Sequence, residues 1–171
     1  IPAGAAFARR VGASVGLDEV TSELRLERLN HELLAAWRAA APAEEFRLLT
    51  WFGAYPDEHL EAMAALHEVM NTAPKGELDY EDERVTPQDL RESEAYGAAR
   101  NVETWTVVAQ HKATGELAGF TEVGWHADKP QLLEQRQTVV VPKYRRSGVG
   151  RWLKATIISL VLQRRKSVTR L

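Results

Sequence analysis

The chain has no cysteine, and that absence removes disulfide bridges, thiolate metal sites and cysteine nucleophiles together. A reducing compartment fits such a composition, and a cytoplasmic location is the expectation. Long apolar runs are missing too: the longest, Ala155 to Leu162, falls far short of the roughly 20 residues that cross a bilayer. Ile1-Pro2-Ala3-Gly4 carries no basic region followed by an apolar core, so no signal peptide is read there. An initiator methionine is also lacking, which reads as a processed chain or an excerpt from a longer one. Charge of one sign is not in excess, 22 Lys and Arg standing against 24 Asp and Glu. That balance implies neither nucleic acid nor an anionic membrane as partner.

What is present is an ordinary globular composition, 44% apolar and 27% charged over 171 residues. This length holds one hydrophobic core, or one core plus pieces of a second. The charges are unevenly placed. Between Glu77 and Glu94 acids far outnumber Arg84 and Arg91, whereas from Lys143 to Leu171 there is no acid at all. The basic end suits anions, and the acidic stretch suits cations or plain solvation.

Apolar spacing and turn residues predict the elements. Ala5 to Arg10 reads as the tail of an alanine-rich helix ended near Gly12, and residues 18–27 as a weak strand. Leu29, Leu33, Trp37 and Ala40 predict a helix over 28–41 that Pro42 follows. Residues 45–52 predict a strand, and a helix over 57–70 buries Leu60, Met63, Leu66 or His67, and Met70. The acidic stretch 76–83 has no period and is expected as a surface loop. Thr86-Pro87 then starts a helix reaching about Ala99, with Asp89 in its favourable first turn. Strands over 104–111 and 117–125 are joined by a hairpin turn containing Gly115, and a further strand covers 132–141. A helix over 148–163 and the beginning of a strand at 167–171 complete the series.

Chemistry concentrates where the strand ending Thr138-Val-Val-Val141 turns through Pro-Lys-Tyr-Arg-Arg-Ser-Gly-Val-Gly150 into the last helix. Glycines let a backbone approach phosphate closely, and the first N–H groups of a helix have no partner within it. Arg145, Arg146 and Arg151 add charge-assisted donors. The plainer reading is a helix start shaped by Gly148 and Gly150, with solvated arginines. No Gly-Lys-Ser/Thr closes the turn, so it is not a Walker A loop, and the dinucleotide fingerprint is absent.

At this turn the chain resembles the GCN5-related N-acetyltransferase (GNAT) family, whose core signature is matched by Arg145, Arg146, Ser147, Gly148, Val149 and Gly150. The order of elements agrees with that family over about residues 44–171. The resemblance implies a three-layer α/β (α+β) fold with a central mixed sheet flanked by helices, the C-terminal part being absent. It implies acetyl-CoA as acyl donor, with pantetheine along Val139, Val140 and Val141 and pyrophosphate held by the amides of Arg146 to Arg151. Through Leu78-Asp-Tyr-Glu-Asp-Glu83, Gly119-Phe-Thr-Glu122 and Leu153-Lys-Ala155, the chain is more closely similar to the second half of actinobacterial proteins with two such domains in tandem. Residues 1–27 then correspond to the tail of a preceding GNAT-like domain, 28–43 to a linker helix and 44–171 to an acyl-CoA-binding domain. Three accounts stay open: a domain excerpt, part of a longer protein, or a rearranged unit in which 1–27 fill the vacant C-terminal place. Many members carry a later tyrosine that protonates the leaving thiolate, and no tyrosine follows Tyr144 here.

Direct transfer to an amine needs a base for the ammonium proton and a donor that polarises the thioester carbonyl. Glu122, on the strand before the cofactor strand, and Glu134, near the start of that strand, are the candidates, directly or through water. Each is otherwise a solvated edge carboxylate. Asp79 to Glu83 favour a small, cationic amine as acceptor, or are solvated loop acids, and Tyr80 and Trp125 either line an acceptor pocket or pack. His59, His67, His111 and His126 do not form a metal set. Arg164-Arg-Lys166 reads as helix capping and solubility rather than a nucleic-acid contact. The expected activity is acyl-CoA-dependent N-acyl transfer to a small amine. The alternative is a catalytically inactive GNAT-like domain that binds CoA or is purely structural. An incomplete sheet also makes a homo-oligomer, or cover by a missing segment of the parent protein, an open expectation.

Overall fold

The β-rich middle of the chain forms an antiparallel meander. The computed structural model describes residues 2–15, 17, 20–73 and 81–171. In it β1 (Phe46–Phe52), β2 (Val102–His111), β3 (Leu117–His126) and β4 (Leu133–Val140) lie side by side in that order, each pair antiparallel. The β2–β3 hairpin closes through Lys112 to Glu116, with Gly115 left-handed at φ +74°. Glycine adopts that conformation without a side-chain clash.

Helices cover both faces. α5 (Val149–Arg164) and α2 (His31–Ala39) lie on one, where Leu34, Leu153, Ile157 and Val161 join Val107, Ala109 and Val123. α3 (Leu60–Glu68) and α4 (Pro87–Ala99) lie on the other, where Met63, Leu66 and Leu90 join Val108, Phe120 and Val139. Val107 and Val108 thus serve opposite cores, as the period of two requires. Burial on both faces is why β2 and β3 read as near-continuous apolar runs.

Local chemistry sets the helix starts. Thr86 caps α4 by accepting from Asp89 N–H at 3.2 Å, while the Asp89 carboxylate accepts from Thr86 N–H at 2.8 Å, a reciprocal capping box. Asn30 caps α2 by accepting from Leu33 N–H at 2.8 Å, so that helix starts later than its apolar spacing indicates. α2, expected as a linker, packs against α5 within the core. α3 gives way to a 3-10 turn at Val69–Thr72, which turns Met70 outward to 42% exposure instead of burying it. α1 (Pro2–Arg10) leaves Phe7 67% exposed.

The far edge of β4 is closed by two short segments. Leu133 N–H donates to Arg170 O at 2.9 Å, with a parallel bridge between Leu132 and Arg170. On its other side the 169–171 backbone pairs antiparallel with residues 24–26, through Leu24 N–H to Leu171 O at 2.8 Å and Leu26 N–H to Thr169 O at 2.9 Å. The mixed character expected of the sheet therefore enters at this edge and not within β1–β4. Of the strand expected over 18–27, Asp18 and Glu19 lie outside the described residues, and pairing is confined to 24–26 among those described. Leu26 and Leu171 cover Leu133, Ile157 and buried Val168 there.

Leu26→Pro tests this edge. Arg25 is already extended at φ −81° and ψ 121°, and Leu26 opens a 3-10 turn, so the substitution removes the donor to Thr169 without a backbone clash. Urea unfolding is expected to show a loss of about 1–3 kcal/mol, against about 1 kcal/mol for the cap variant Thr86→Ala. Wild-type stability in Leu26→Pro would contradict the pairing.

Candidate active site

Between β4 and α5 the chain is pinned by side chains before it turns. The Tyr144 ring meets Phe46 edge-on at 5.3 Å and stacks on His111 at 5.6 Å. Its hydroxyl donates to Glu116 Oε2 at 2.9 Å, and Lys143 Nζ donates to the same oxygen at 2.6 Å. The Lys143 ammonium holds the Glu116 carboxyl below the usual range, and Glu116 in turn raises Lys143. Arg145 Nε donates to Val140 O at 3.1 Å and its Nη2 to Thr72 Oγ1 at 2.6 Å. Anchored this way, Arg146 and Gly148 take left-handed conformations at φ +66° and +92°. Alternating handedness of this kind curls successive N–H groups into a concave anion-binding nest.

α5 begins within that nest. Its first helical bond runs from Trp152 N–H to Gly148 O at 3.0 Å. The N–H groups of Gly148, Gly150 and Arg151 find no acceptor among the described residues. Arg146 and Arg151 are exposed and pair with no carboxylate among the described residues. A Cβ added at Gly150 would stand 3.5 Å from Val140 Cγ2, so helix and strand are in close contact at the turn. Beyond Leu133 no β4 backbone group bonds to residues 168–171 among those described, and the two segments are joined only at 131–133. The carboxyl half of β4, containing Val139 and Val140, keeps its outer edge open apart from the Arg145 bond.

A second feature lies on the α3/α4 face. Glu122 is buried on β3, 7% exposed. Its Oε2 accepts from Tyr55 Oη at 2.5 Å and Thr106 Oγ1 at 3.1 Å, and its Oε1 from Arg136 Nη1 at 3.1 Å. A carboxylate offers about four acceptor positions, so one remains on Oε1. The His67 Nε2 lies 3.3 Å from Tyr55 Oη. An open cleft of about 730 Å³ exposes these groups beside Phe52, Leu90 and Val102.

Distant segments build this cluster. Tyr55 follows the Gly53 turn after β1, and its backbone is clamped by Glu94 Oε1, which accepts from Tyr55 N–H at 2.7 Å, and by Arg91 Nη1, which donates to Tyr55 O at 3.0 Å. Gln135 to Thr138 spans three steps on β4 where Val123 to Thr121 spans two on β3, which makes a β-bulge in β4. Bulges re-aim side chains. Here Arg136 crosses β3 to Thr104, while Gln135 Nε2 donates to Glu122 O at 2.7 Å.

Burial, the Glu122 charge and the hydrogen bond to it push the Tyr55 phenol far above its ordinary value. Burial lowers His67, opposed by the attraction of Glu122. The phenol therefore stays protonated and the imidazole neutral near pH 7.

The other sequence candidates fall elsewhere. Glu134 is exposed, opposite Gly124, and lines a separate recess with Trp125, His126 and Lys129. Val139 to Val141 and Arg145 to Arg151 come together at the turn as expected from their adjacency. Asp79 and Tyr80 lie outside the described residues, and Glu81 and Glu83 are exposed. Trp125 packs, its Nε1 donating to Pro130 O at 3.2 Å beneath the Arg165 guanidinium 4.1 Å away. Arg165 also pairs with Glu103, and Arg164 lies over Phe52 at 4.4 Å. Two of the three basic residues read as solubility thus stack on aromatic rings. Tyr55, His67, Thr106 and Arg136 were missed by sequence reasoning. The aromatic exit turn after β1 was the one available signal for Tyr55.

A tandem GNAT protein from the clavulanic acid biosynthesis pathway matches 99% of this chain and 49% of its own, with a TM-score of 0.73 and 27% identity. The fold is that of the GCN5-related N-acetyltransferases. The chain spans about half the length of that tandem protein. A Trypanosoma brucei acetyltransferase matches 71% of the chain and 78% of its own, with 15% identity and a TM-score of 0.47. A GNAT-family protein of Desulfovibrio desulfuricans matches 68% of the chain and 67% of its own, with 16% identity and a TM-score of 0.45. No protein-family model matches the chain, and no curated protein does. Among the described residues no helix is long and apolar enough to cross a membrane, and no group of three or more His, Asp or Glu is placed to hold a metal.

The ionisation of His67 is measurable by proton NMR. Its folded pKa is expected below the ordinary value of 6.5, and Glu122→Gln is expected to lower it further by removing the charge that raises it. A group with a depressed pKa binds its proton more readily unfolded, so stability from His67 is complete above about pH 6.5 and is lost as pH falls through the folded pKa. Titration of His67 at or above 6.5 would contradict the buried neutral imidazole.

Proposed function

We propose that this GNAT chain binds acyl-CoA, with acetyl-CoA as donor, and transfers the acyl group directly to a small amine. One observation carries the reading: β4 serves both features. Its carboxyl end leads into the unpartnered N–H groups of Gly148, Gly150 and Arg151, and its Val139 packs in the same cluster as Tyr55 and Phe120, behind the Glu122 cleft. A thioester lying along β4 would meet an amine in that cleft.

Bound acyl-CoA supplies the activated acyl group, and this chain's residues hold it and manage protons. Gly148, Val149, Gly150 and Arg151 N–H groups, with Arg145, Arg146 and Ser147 shaping the turn, hold the pyrophosphate. The segment Val139, Val140 and Val141 receives the pantetheine arm, with Val140 presenting its backbone to the open edge, since Val141 N–H already donates to Ala118 O. Glu122 accepts the ammonium proton at Oε1, directly or through water. Tyr55, held protonated 2.5 Å from the base, takes the acid's part, giving a proton to the CoA thiolate that leaves when the thioester bond breaks. Glu134 remains a second candidate base, less favoured because it faces the separate recess. Residues 1–27 are assigned to the tail of a preceding GNAT-like domain and 28–43 to the connection, within a tandem parent or homo-oligomer.

A second reading, a CoA-binding or purely structural domain without turnover, is favoured by the ties of Glu122. Three donors already occupy that carboxylate and leave an ammonium one acceptor position on it.

Calorimetric titration of the chain with acetyl-CoA, and with desulfo-CoA, separates these readings. Both ligands are expected to bind. Gly148 is unsuitable for a blocking variant, because at φ +92° any side chain strains the turn. Gly150→Trp, whose Cβ meets only ordinary contact, is expected to abolish binding while leaving the melting curve intact. With an amine acceptor, Glu122→Gln is expected to lower turnover about 100-fold or more at unchanged acetyl-CoA affinity. Binding without any turnover would select the second reading, and absence of binding by the folded chain would reject both CoA readings.

A further inference from the structure

We propose that the amine acceptor also carries a carboxylate, and that Arg136 recognises it; this rests on the acyl-transfer reading. The cleft holds two guanidinium groups, and they differ in what they have left to give. Arg91 has both terminal nitrogens engaged: Nη1 donates to Glu94 and to Tyr55 O, and Nη2 pairs with Asp57. Arg136 spends Nη1 on Glu122 at 3.1 Å and on Thr104 Oγ1 at 3.4 Å. Its Nε and Nη2 find no acceptor among the described residues, and its side chain is 35% exposed.

The placement of that guanidinium is built into the sheet. The β4 bulge sends Arg136 across β3, and Gly124 is where it lies: a Cβ there would stand 2.9 Å from Nε and 3.2 Å from Cζ and Nη2. Any residue but glycine would displace the group. A planar fork with one free edge matches a carboxylate in two parallel hydrogen bonds. A dianion suits it less, because Glu122 and Glu103 line the same cleft.

Glu122 and Arg136 touch each other. The ammonium that gives its proton to Glu122 and the anion that binds Arg136 must therefore sit within a few bonds of one another, as in an α- or β-amino acid. The wall opposite, with Phe52, Leu90, Ala98 and Val102, suits an apolar side chain on that acceptor. The acceptor class is thus a small amino acid-like amine, and the Glu122–Arg136 pair reads both of its charged ends.

N-acetyl-L-leucine and N-acetyl-L-leucinamide are the probes, because acetylation removes the amine charge and leaves only carboxylate against amide. Their binding to the 171-residue chain is followed by NMR shifts of the Thr104 and Gly124 amides. The acid is expected to bind at least about tenfold tighter than the amide. Arg136→Lys, which keeps the charge beside Glu122 but loses the fork, and Gly124→Ala, which displaces the fork without changing charge, are each expected to erase that preference with folding intact by circular dichroism. Equal binding of the two probes, binding of neither, or a preference that survives both variants overturns the proposal. The probes need no CoA. Absence of the carboxylate preference in the unsubstituted chain with CoA binding intact sinks this inference alone, whereas a preference present there without CoA binding sinks the acyl-transfer reading.

Discussion

A carboxylate at 7% exposure in the middle of a sheet is costly unless donors surround it, and much of this structure supplies those donors to Glu122. Thr106 comes from the neighbouring strand, Arg136 from a bulge in the next, and Tyr55 from the turn after β1. Each donor needs its own support. Gly124 makes room for Arg136, the Arg91–Glu94 pair clamps the Tyr55 backbone, and Gln135 fixes the Glu122 carbonyl. Removing one donor would leave part of a buried charge unpaired, which is why the cluster holds a single geometry. That rigidity favours positioning two charged ends of a ligand, and it leaves one acceptor position of Glu122 open.

The sheet explains how such a cluster lies next to a phosphate-type turn. Both faces of β2, β3 and β4 are covered, so the polar groups on the α3/α4 side sit on a rigid floor. The turn at 145–148 is fixed from beneath by Tyr144, Lys143 and Glu116, and from the side by Thr72 just beyond α3. Thr72 and His67 both belong to the helical stretch after β1. One short piece of chain therefore touches both the nest and the acid–base cluster, and movement there would be felt at both.

What could be read from the sequence was what is local. The turn from Arg145 to Gly150 is contiguous, its glycines and arginines act through their own backbone and charge, and the expected strand, turn and helix are found there. Thr86-Pro87 likewise announced its cap. The acid–base cluster was different in kind. Glu122 was a candidate because of its strand, but its partners stand 67, 16 and 14 positions away. Nothing in periodicity marks the extra β4 residue that aims Arg136. Glu134 looked equivalent to Glu122 because both precede the turn on adjacent strands, and the sheet separated them by placing one under α3 and α4 and the other opposite Gly124 at an exposed end.

The edge of β4 links stability to the proposed chemistry. Residues 168–171 hold its amino end at 131–133, and residues 24–26 cover the outer side of those same residues. Unpaired strand edges invite association with other chains, and this pairing removes one such edge at the amino end of β4. It leaves the carboxyl end of β4 free, with Val140 O held only by Arg145. A ligand arm with alternating amide groups can pair along that free edge only if the neighbouring segment does not close on it.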